Sequence, residues 1–430
     1  MSKPLQILIS DEVRRRQQAL PRQIERGEPY IGPVGHAKRY LEAVEERGWS
    51  SIDGVVCSQC VIDAELQSAI RSAAGQERCS FCGTLPVVPD ASADVDVILA
   101  LIVDGLRYEY EPPVDQVAWS SRDGGYQMGT SDTADLLEHE QVTDNPELMQ
   151  ALADAIEETE WVQRDPYAAS PADALRWGWA EFRTFVKHRR RFTFLAGDGV
   201  APAGGEFSMS AIPAALTKAA SDAGAVRVLS AGTQWWRIRP HAPGEVYRTA
   251  KELGTPPDGV ARDNRMSPKG VGAFYGASTA VGARAEVAGY AAGGLDGTVG
   301  QFTLRHDIAV VDLSRLMGVP SLFDALNRHR RAAAIFMRDF IRDVSAVASP
   351  SDLQNLEYIP TQIVAEHFRY SLRLDGALVT GLLWSSSKDP SVQNCVIFAP
   401  NERMSDLGFA DDATVLELDP NSVKVIPAPL

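Results

Sequence analysis

Apolar residues recur every three to four positions through residues 36–188, with polar residues between them, which is the pattern of amphipathic helices. The clearest case follows Ser170, where an N-capping serine precedes a proline and apolar residues such as Leu175, Phe182 and Val186 are candidate interior positions. The spacing predicts helices at residues 36–48, 61–78, 94–106, 132–141, 146–161 and 170–188.

The pattern changes at residues 197–206, where glycine, alanine and proline mark a boundary or a long loop. Beyond it, helices are expected at residues 212–223, 280–290, 322–344 and 360–372. Short apolar runs predict strands at residues 235–238, 273–275, 300–304, 309–312, 377–383, 395–399 and 414–418. We therefore predict an α+β protein with a mainly helical domain at 1–200, a linker and connecting helix at 201–229, and a mixed α/β domain at 230–430.

Acidic residues outnumber basic ones. The 430 residues include 57 Asp and Glu against 42 Lys and Arg, for a formal net charge of −15. A surface of this sign repels phosphate backbones and anionic membranes, so a nucleic-acid or membrane partner is not expected. No apolar run approaches the roughly 18 residues of a membrane span, and the first residues lack the apolar region of a signal peptide. We expect a cytoplasmic protein.

Four of the five cysteines form two CxxC pairs, Cys57 with Cys60 and Cys79 with Cys82, and the fifth, Cys395, lies alone in an apolar run. Two such pairs can present four thiolates to one tetrahedral zinc ion, with the helix at 61–78 between them. Because sulfur would fill every ligand position, we expect the zinc to be structural rather than catalytic. Disulfides and unrelated cysteines are the alternatives.

Several familiar enzyme motifs are absent or incomplete. Gly270, Gly272 and Gly276 miss the dinucleotide fingerprint by one residue, and the sequence has no Walker A lysine motif and no HExxH. The SxxK match from Ser385 to Lys388 follows an apolar strand and has no accompanying KTG, which disfavours a serine acylase.

A scattered polar set remains in the second domain, and it resembles the RES domain, a family named for its Arg, Glu and Ser and found in bacterial toxins that break down NAD. Arg237 follows Trp236 in a strand, as an arginine follows an aromatic residue in the family. Residues 264–287 match the family's turn, tyrosine strand and alanine-rich helix ending in Glu-Val. The Thr-Gln helix at 360–366 and the closing strand at 384–398 complete four blocks in the family's order, over residues 230 to 400.

The resemblance implies a fold like that of ADP-ribosyltransferases, with NAD as the substrate. It implies four catalytic residues, namely Glu286, Arg237, Ser386 and Tyr275, and four substrate-binding residues, namely Arg265, Arg239, Ser387 and Asn394. The serines at 385–387 leave the key one open, although spacing from Trp384 favours Ser386.

The N-terminal part resembles the helical HEPN-type region that often precedes RES domains, through its CxxC pairs at 57–82 and through Trp179, Phe182, Val186 and His188. Arg183 and His188 also have the Rx4H spacing of HEPN ribonucleases, where the two side chains act on a phosphodiester. The alternative, which we favour, is a structural pair beside the basic residues 189–191.

The chemistry of the set suits cleavage of the nicotinamide–ribose bond. Arginines match a diphosphate, and a carboxylate such as Glu286 can stabilise an oxocarbenium-like sugar. We predict an NAD glycohydrolase or phosphorylase that acts as a toxin or defence effector. The resemblance also implies control by an antitoxin or another regulatory partner, and a homo-oligomer is open. The competing functions are an ADP-ribosyltransferase with a protein acceptor, a HEPN-type ribonuclease, and a binding module that senses NAD.

Overall fold

The computed structural model describes residues 33–193, 208–288, 294–315, 318–345 and 354–427. The predicted boundary segment at 197–206 lies outside these residues. Within them the chain is a mixture of helices and strands, with a helical N-terminal region and a large mixed sheet in the C-terminal region. The α+β prediction is confirmed at this level.

The N-terminal region carries most of the predicted helices. They are α1 Pro33–Arg47, α2 Ala64–Ala73, α3 Val95–Glu109, α4 Pro113–Gln116, α5 Thr133–His139, α6 Pro146–Ala155 and α7 Pro171–His188. Side-chain caps start several of them; for example, Asp63 accepts hydrogen bonds from the first backbone amides of α2. The predicted helix at 146–161 is wrong beyond Ala155, because Ile156 is extended and a strand follows.

Short strands join these helices. They are β1 Val55–Cys57, β2 Ser92–Asp94, β3 Tyr110–Glu111, β4 Trp119–Ser120, β5 Gly125–Tyr126, β6 Ser131–Asp132 and β7 Glu160–Gln163. In β7 the indole of Trp161 is buried and donates a hydrogen bond to the hydroxyl of Thr133, at 2.9 Å. A helix continuing through 161 would lose this contact.

The N-terminal core centres on α3 and is completed by a distant part of the chain. Leu322 and Phe323, which lie more than two hundred residues later in the sequence, are fully buried among the α3 side chains. Gly105 makes room for them, since a Cβ at that position would lie 2.7 Å from the Phe323 ring. This packing explains why the predicted helix at 322–344 begins only at Arg331: the earlier residues serve the other core.

The C-terminal region contains a sheet of ten described strands, in the order β16-β17-β11-β9-β10-β15-β14-β12-β8, with β13 paired to β14. The pairings are antiparallel except β12 with β14 and β16 with β17. The strands are β8 Val226–Leu229, β9 Gln234–His241, β10 Phe274–Ala277, β11 Asp296–Leu304, β12 Ile308–Asp312, β13 Arg373–Leu374, β14 Ala377–Ser385, β15 Gln393–Ile397, β16 Met404–Asp406 and β17 Leu416–Ile426. Every predicted strand is present, and β8, β13 and β16 are additional.

Helices accompany this sheet. They are α8 Ile212–Asp222, α9 Ala250–Leu253, α10 Ala280–Ala288, α11 Arg331–Ser345 and α12 Gln354–Ser371. The predicted helix at 360–372 therefore begins six residues early and contains Pro360 in its interior.

One face of the sheet packs against α7, α8, α11 and α12, in a core that includes Phe182, Phe336, Phe368 and Val396. The opposite face forms a second core around Phe274 and Phe302. The helix α7 thus packs against the C-terminal sheet, although the sequence pattern predicted it in the N-terminal domain at 1–200.

Candidate functional site

Glu286, Ser386 and Asn394 meet where a helix lies against two strands. Asn394 on β15 pairs with Ala277 of β10 on one side and with Trp384 of β14 on the other. The chain leaves β10 into α10, which carries Glu286, and Ser386 follows the end of β14. Gly282 lets α10 approach closely, because a Cβ there would lie 2.4 Å from a methyl group of Val392. This close approach explains the glycine at position 282.

One oxygen of Glu286 receives two hydrogen bonds. The hydroxyl of Ser386 donates to Oε1 at 2.5 Å, and the amide nitrogen Nδ2 of Asn394 donates to the same atom at 3.0 Å. Hydrogen bonds to a carboxylate are stronger than those between neutral groups. Among the contacts of the described residues, no hydrogen bond reaches Oε2. The half-buried carboxylate is therefore held by one oxygen and presents the other.

The side-chain amide of Asn394 has a partner for its nitrogen but none for its oxygen. Its side chain is only 5% exposed, and its carbonyl oxygen Oδ1 is buried without a hydrogen-bond partner. An unsatisfied buried acceptor costs on the order of 1–3 kcal/mol. The orientation persists because the nitrogen must face Glu286, so the site keeps a local cost to hold the carboxylate.

Tyr275 and the turn at 263–267 form a second group. The phenolic oxygen of Tyr275 accepts a hydrogen bond from the backbone nitrogen of Met266 at 3.3 Å and shares one with the hydroxyl of Ser267 at 2.9 Å. Burial raises the pKa of the Tyr275 phenol well above its ordinary value, so the group is a neutral hydrogen-bonding residue. Sequence reasoning missed Ser267, whose only signal was its place beside the proline of the turn.

The Thr-Gln segment of α12 supports this turn. The hydroxyl of Thr361 donates to the carbonyl of Arg265 at 2.8 Å, and the amide of Gln362 donates to Asp263 at 2.6 Å and to the carbonyl of Asn264 at 2.8 Å. These two side chains are buried. Their part in the family pattern therefore corresponds here to fixing the turn that carries Arg265.

Arg265 lies over the ring of Tyr358, with its guanidinium carbon 5.2 Å from the ring centroid. Burial lowers the pKa of Arg265, while Tyr358, Tyr275 and the negative charge of Glu286 oppose that shift. The arginine and the carboxylate are thus close enough to interact electrostatically. Tyr275 thus bonds to the turn that carries Arg265, and Glu286 lies within electrostatic range of that arginine.

The side chains of Arg237 and Arg239 lie on the face of the sheet opposite to α10. Their neighbours Trp236 and Ile238 pack with α10, the helix of Glu286, so alternation along β9 directs both arginines away from it. Arg237 donates to the carbonyls of Leu253 and Tyr275, each at 2.8 Å, and Arg239 donates to the carbonyl of Glu252. The structure does not bring these two side chains into the Glu286 group.

Arg237 nevertheless contacts the backbone of Tyr275 from the opposite face of the sheet. Within the described chain, β9 and β10 pair only through Trp236 and Ala277, so the two strands separate beyond that point. The Arg237 guanidinium bonds to the backbone of Tyr275 at this separation. Ser387, in contrast, has an exposed side chain next to the buried Ser386.

The four cysteines of the CxxC pairs form a cluster that could hold a metal ion, with all sulfurs within 4.8 Å of one another. The Sγ atom of Cys57 lies 3.7 Å from that of Cys60 and 3.6 Å from that of Cys82, and the Sγ atoms of Cys60 and Cys79 are 3.7 Å apart. Zinc–sulfur bonds of about 2.3 Å in a tetrahedron place the sulfurs about 3.8 Å apart, whereas a disulfide requires about 2.05 Å. All four thiols are free, so the disulfide alternative is excluded here.

The Rx4H residues have different surroundings. Arg183 on α7 donates to the carboxylate of Asp343 on α11 at 2.6 Å, and the indole of Trp179 donates to the same oxygen at 2.9 Å. His188 is exposed at the end of α7. Arg183 thus joins two helices of the sheet's core, which agrees with the structural interpretation of the pair.

Among the described residues, no helix combines the length and apolar character that a bilayer crossing requires. Residues 72–199 match the family model of HEPN/RES N-terminal domain 1, and residues 234–414 match that of the RES domain. No curated protein and no solved structure matches the chain significantly. The RES match supports an NAD-related toxin or enzyme family in general. Both predicted resemblances are confirmed: the chain contains a region that matches HEPN/RES N-terminal domain 1, followed by a region that matches the RES domain.

Proposed function

We propose that this chain cleaves the bond between nicotinamide and ribose in NAD and passes the ADP-ribosyl group to water or phosphate. The observation that carries the proposal is the arrangement of Glu286, whose Oε1 accepts hydrogen bonds from Ser386 and Asn394 while the carboxylate lies within electrostatic range of Arg265. A fixed negative charge at this position suits a sugar that becomes cationic as its bond to nitrogen breaks.

The reaction needs little acid catalysis. Nicotinamide carries the positive charge of NAD and leaves as a neutral molecule with the electron pair of the C–N bond. Water or phosphate then forms the new bond to the ribosyl carbon, and with water a proton is released. Glu286 stabilises the cationic sugar between these steps, and Ser386 and Asn394 fix its carboxylate.

Arg265 is the proposed partner of the diphosphate, since a guanidinium matches phosphate oxygens and this one lies in the same region as Glu286. Tyr275 is the proposed hydrogen-bonding or stacking partner of the nucleotide. We assign Arg237 a supporting role, because its guanidinium bonds to the Tyr275 backbone. Substrate contacts by Arg239 and Ser387 remain predictions.

We also propose that the cysteine cluster binds zinc as a structural ion. Its donor set is four thiolates, the sulfur spacing fits a tetrahedral site, and the adjoining strands β1 and β2 are only three residues long. We further propose that the sheet of the C-terminal region resembles the ADP-ribosyltransferase fold. We also propose that an antitoxin or another partner controls the loss of NAD.

The test is incubation of the purified protein with NAD, with and without phosphate, followed by mass spectrometry of nicotinamide and the ribosyl product. ADP-ribose identifies a hydrolase, ADP-ribose 1″-phosphate a phosphorylase, and ADP-ribose bound to added protein a transferase. We expect Glu286→Gln to lower turnover by at least about a hundredfold, on the scale of removing one electrostatic stabiliser. The exposed Glu181→Gln on α7 is the matched control. Near-normal turnover by Glu286→Gln would remove the proposed role.

A further inference from the structure

Lys388 closes the Ser385–Lys388 motif that the acylase interpretation left without a role. The lysine is exposed, yet its ammonium group donates a hydrogen bond to the carbonyl of Ala285, the residue before Glu286. We propose that Lys388 is a positioning residue for Glu286, because it holds α10 against the turn that carries Ser386. This inference rests on the proposed function, because it adds a residue to the same site.

The first argument concerns the helix that carries Glu286. The ammonium group of Lys388 donates to the carbonyl of Ala285, which precedes Glu286 on α10. A hydrogen bond from a charged donor is stronger than one between neutral groups. The lysine therefore stabilises the turn of helix from which the Glu286 side chain projects.

The second argument concerns the serine. The backbone nitrogen of Lys388 donates to the hydroxyl oxygen of Ser386 at 3.2 Å, while the same hydroxyl donates to Glu286 at 2.5 Å. With its oxygen accepting from Lys388, the serine proton is directed to the carboxylate. The turn is closed by a bond from the Ser386 nitrogen to the carbonyl of Val392, at 2.8 Å.

Lys388 thus contacts both Ser386, which donates to Glu286, and the helix that carries Glu286. Its backbone orients Ser386, and its side chain holds α10. Substituting the side chain removes only the second contact, because any residue at 388 except proline retains the backbone donor. The two contributions can therefore be separated experimentally.

The experiment compares Lys388→Met and Lys388→Arg with the wild type, and uses Lys218→Met, an exposed lysine on α8, as the matched control. Nicotinamide release from NAD gives kcat and KM, and hydrogen exchange reports the amides of α10. We expect Lys388→Met to lower kcat on the order of tenfold with KM within about twofold, as for loss of one charged hydrogen bond. Lys388→Arg, which keeps a cationic donor, should recover most of the loss. Exchange of α10 should rise in Lys388→Met and stay unchanged in Lys218→Met.

A kcat of Lys388→Met within about twofold of the wild type would overturn the proposal. So would a loss confined to KM, which would indicate direct substrate contact. If Lys388→Met does not fold, Lys388→Gln takes its place. If the wild type releases no nicotinamide, the proposed function fails, and exchange then decides the positioning contact separately: faster exchange of α10 in the variant supports it, and unchanged exchange refutes it.

Discussion

Replacing Ser386 with alanine tests the central arrangement, because it removes one of two donors to a single oxygen. The lost bond is an O–H donor to a carboxylate at 2.5 Å, and the remaining one is the 3.0 Å bond from Asn394. Hydrogen bonds to charged groups contribute about 1.5–3 kcal/mol. If that free energy is lost in the transition state, kcat falls about tenfold to about 150-fold, at 1.36 kcal/mol for each factor of ten.

The assay is nicotinamide release by Ser386→Ala, Asn394→Ala and the double variant, with the melting temperature measured for each. Since both donors serve Oε1 of Glu286, we expect their effects to be coupled by about 0.5–3 kcal/mol rather than independent. Ser391→Ala is the matched control, because that serine lies in the same turn and donates to a different carboxylate, Asp389, at 2.6 Å. Effects that simply multiply in the double variant would show that the two side chains do not act through a shared atom, and the reasoning would be refuted.

Three further predictions concern metal, packing and pH. The purified protein should contain about one zinc per chain, and a chelator or Cys60→Ser should lower the melting temperature of the N-terminal region; an unchanged melting curve after metal loss would contradict a structural role. Gly105→Ala should destabilise the fold by about 1–3 kcal/mol in denaturant unfolding, because the new methyl group would lie 2.7 Å from the ring of Phe323. Gly129→Ala is the control, because Gly129 is exposed, has no atom within 4 Å of an added Cβ and has no positive φ, and it should change stability little. Burial lowers the pKa of His367, so the unfolded chain binds its proton more readily and stability should fall as pH drops below the ordinary histidine range near 6.5. The decrease in stability at low pH should be smaller in His367→Gln. An equal pH dependence in both proteins would argue against a contribution from His367.

Local signals account for what the sequence predicted correctly. Ser170 with the proline after it starts α7, and the CxxC spacing identifies a cluster whose sulfurs do lie together. Glu286, Ser386 and Asn394 were found through blocks in family order, and their hydrogen bonds connect three separate elements.

The remaining features depend on pairing and packing over long distances. The side of the sheet on which Arg237 lies is set by how β9 pairs with β11 and where it parts from β10. The apolar periodicity at 322–330 is real, but Leu322 and Phe323 pack in the other core, so the helix does not form there. Lys388 had no interpretable pattern, because its partner is a backbone carbonyl about a hundred residues away.

The exchange of segments between the two cores also constrains how the chain can fold during synthesis. Trp179 and Phe182 leave the ribosome early, yet their partners Phe336 and Phe340 are made much later, and the N-terminal core must wait for Phe323. Until then both cores expose apolar surface, which is the condition under which chaperones bind and partly folded chains aggregate. Because Ser386 and Asn394 also come late in the sequence, the group around Glu286 can form only after these residues have been made.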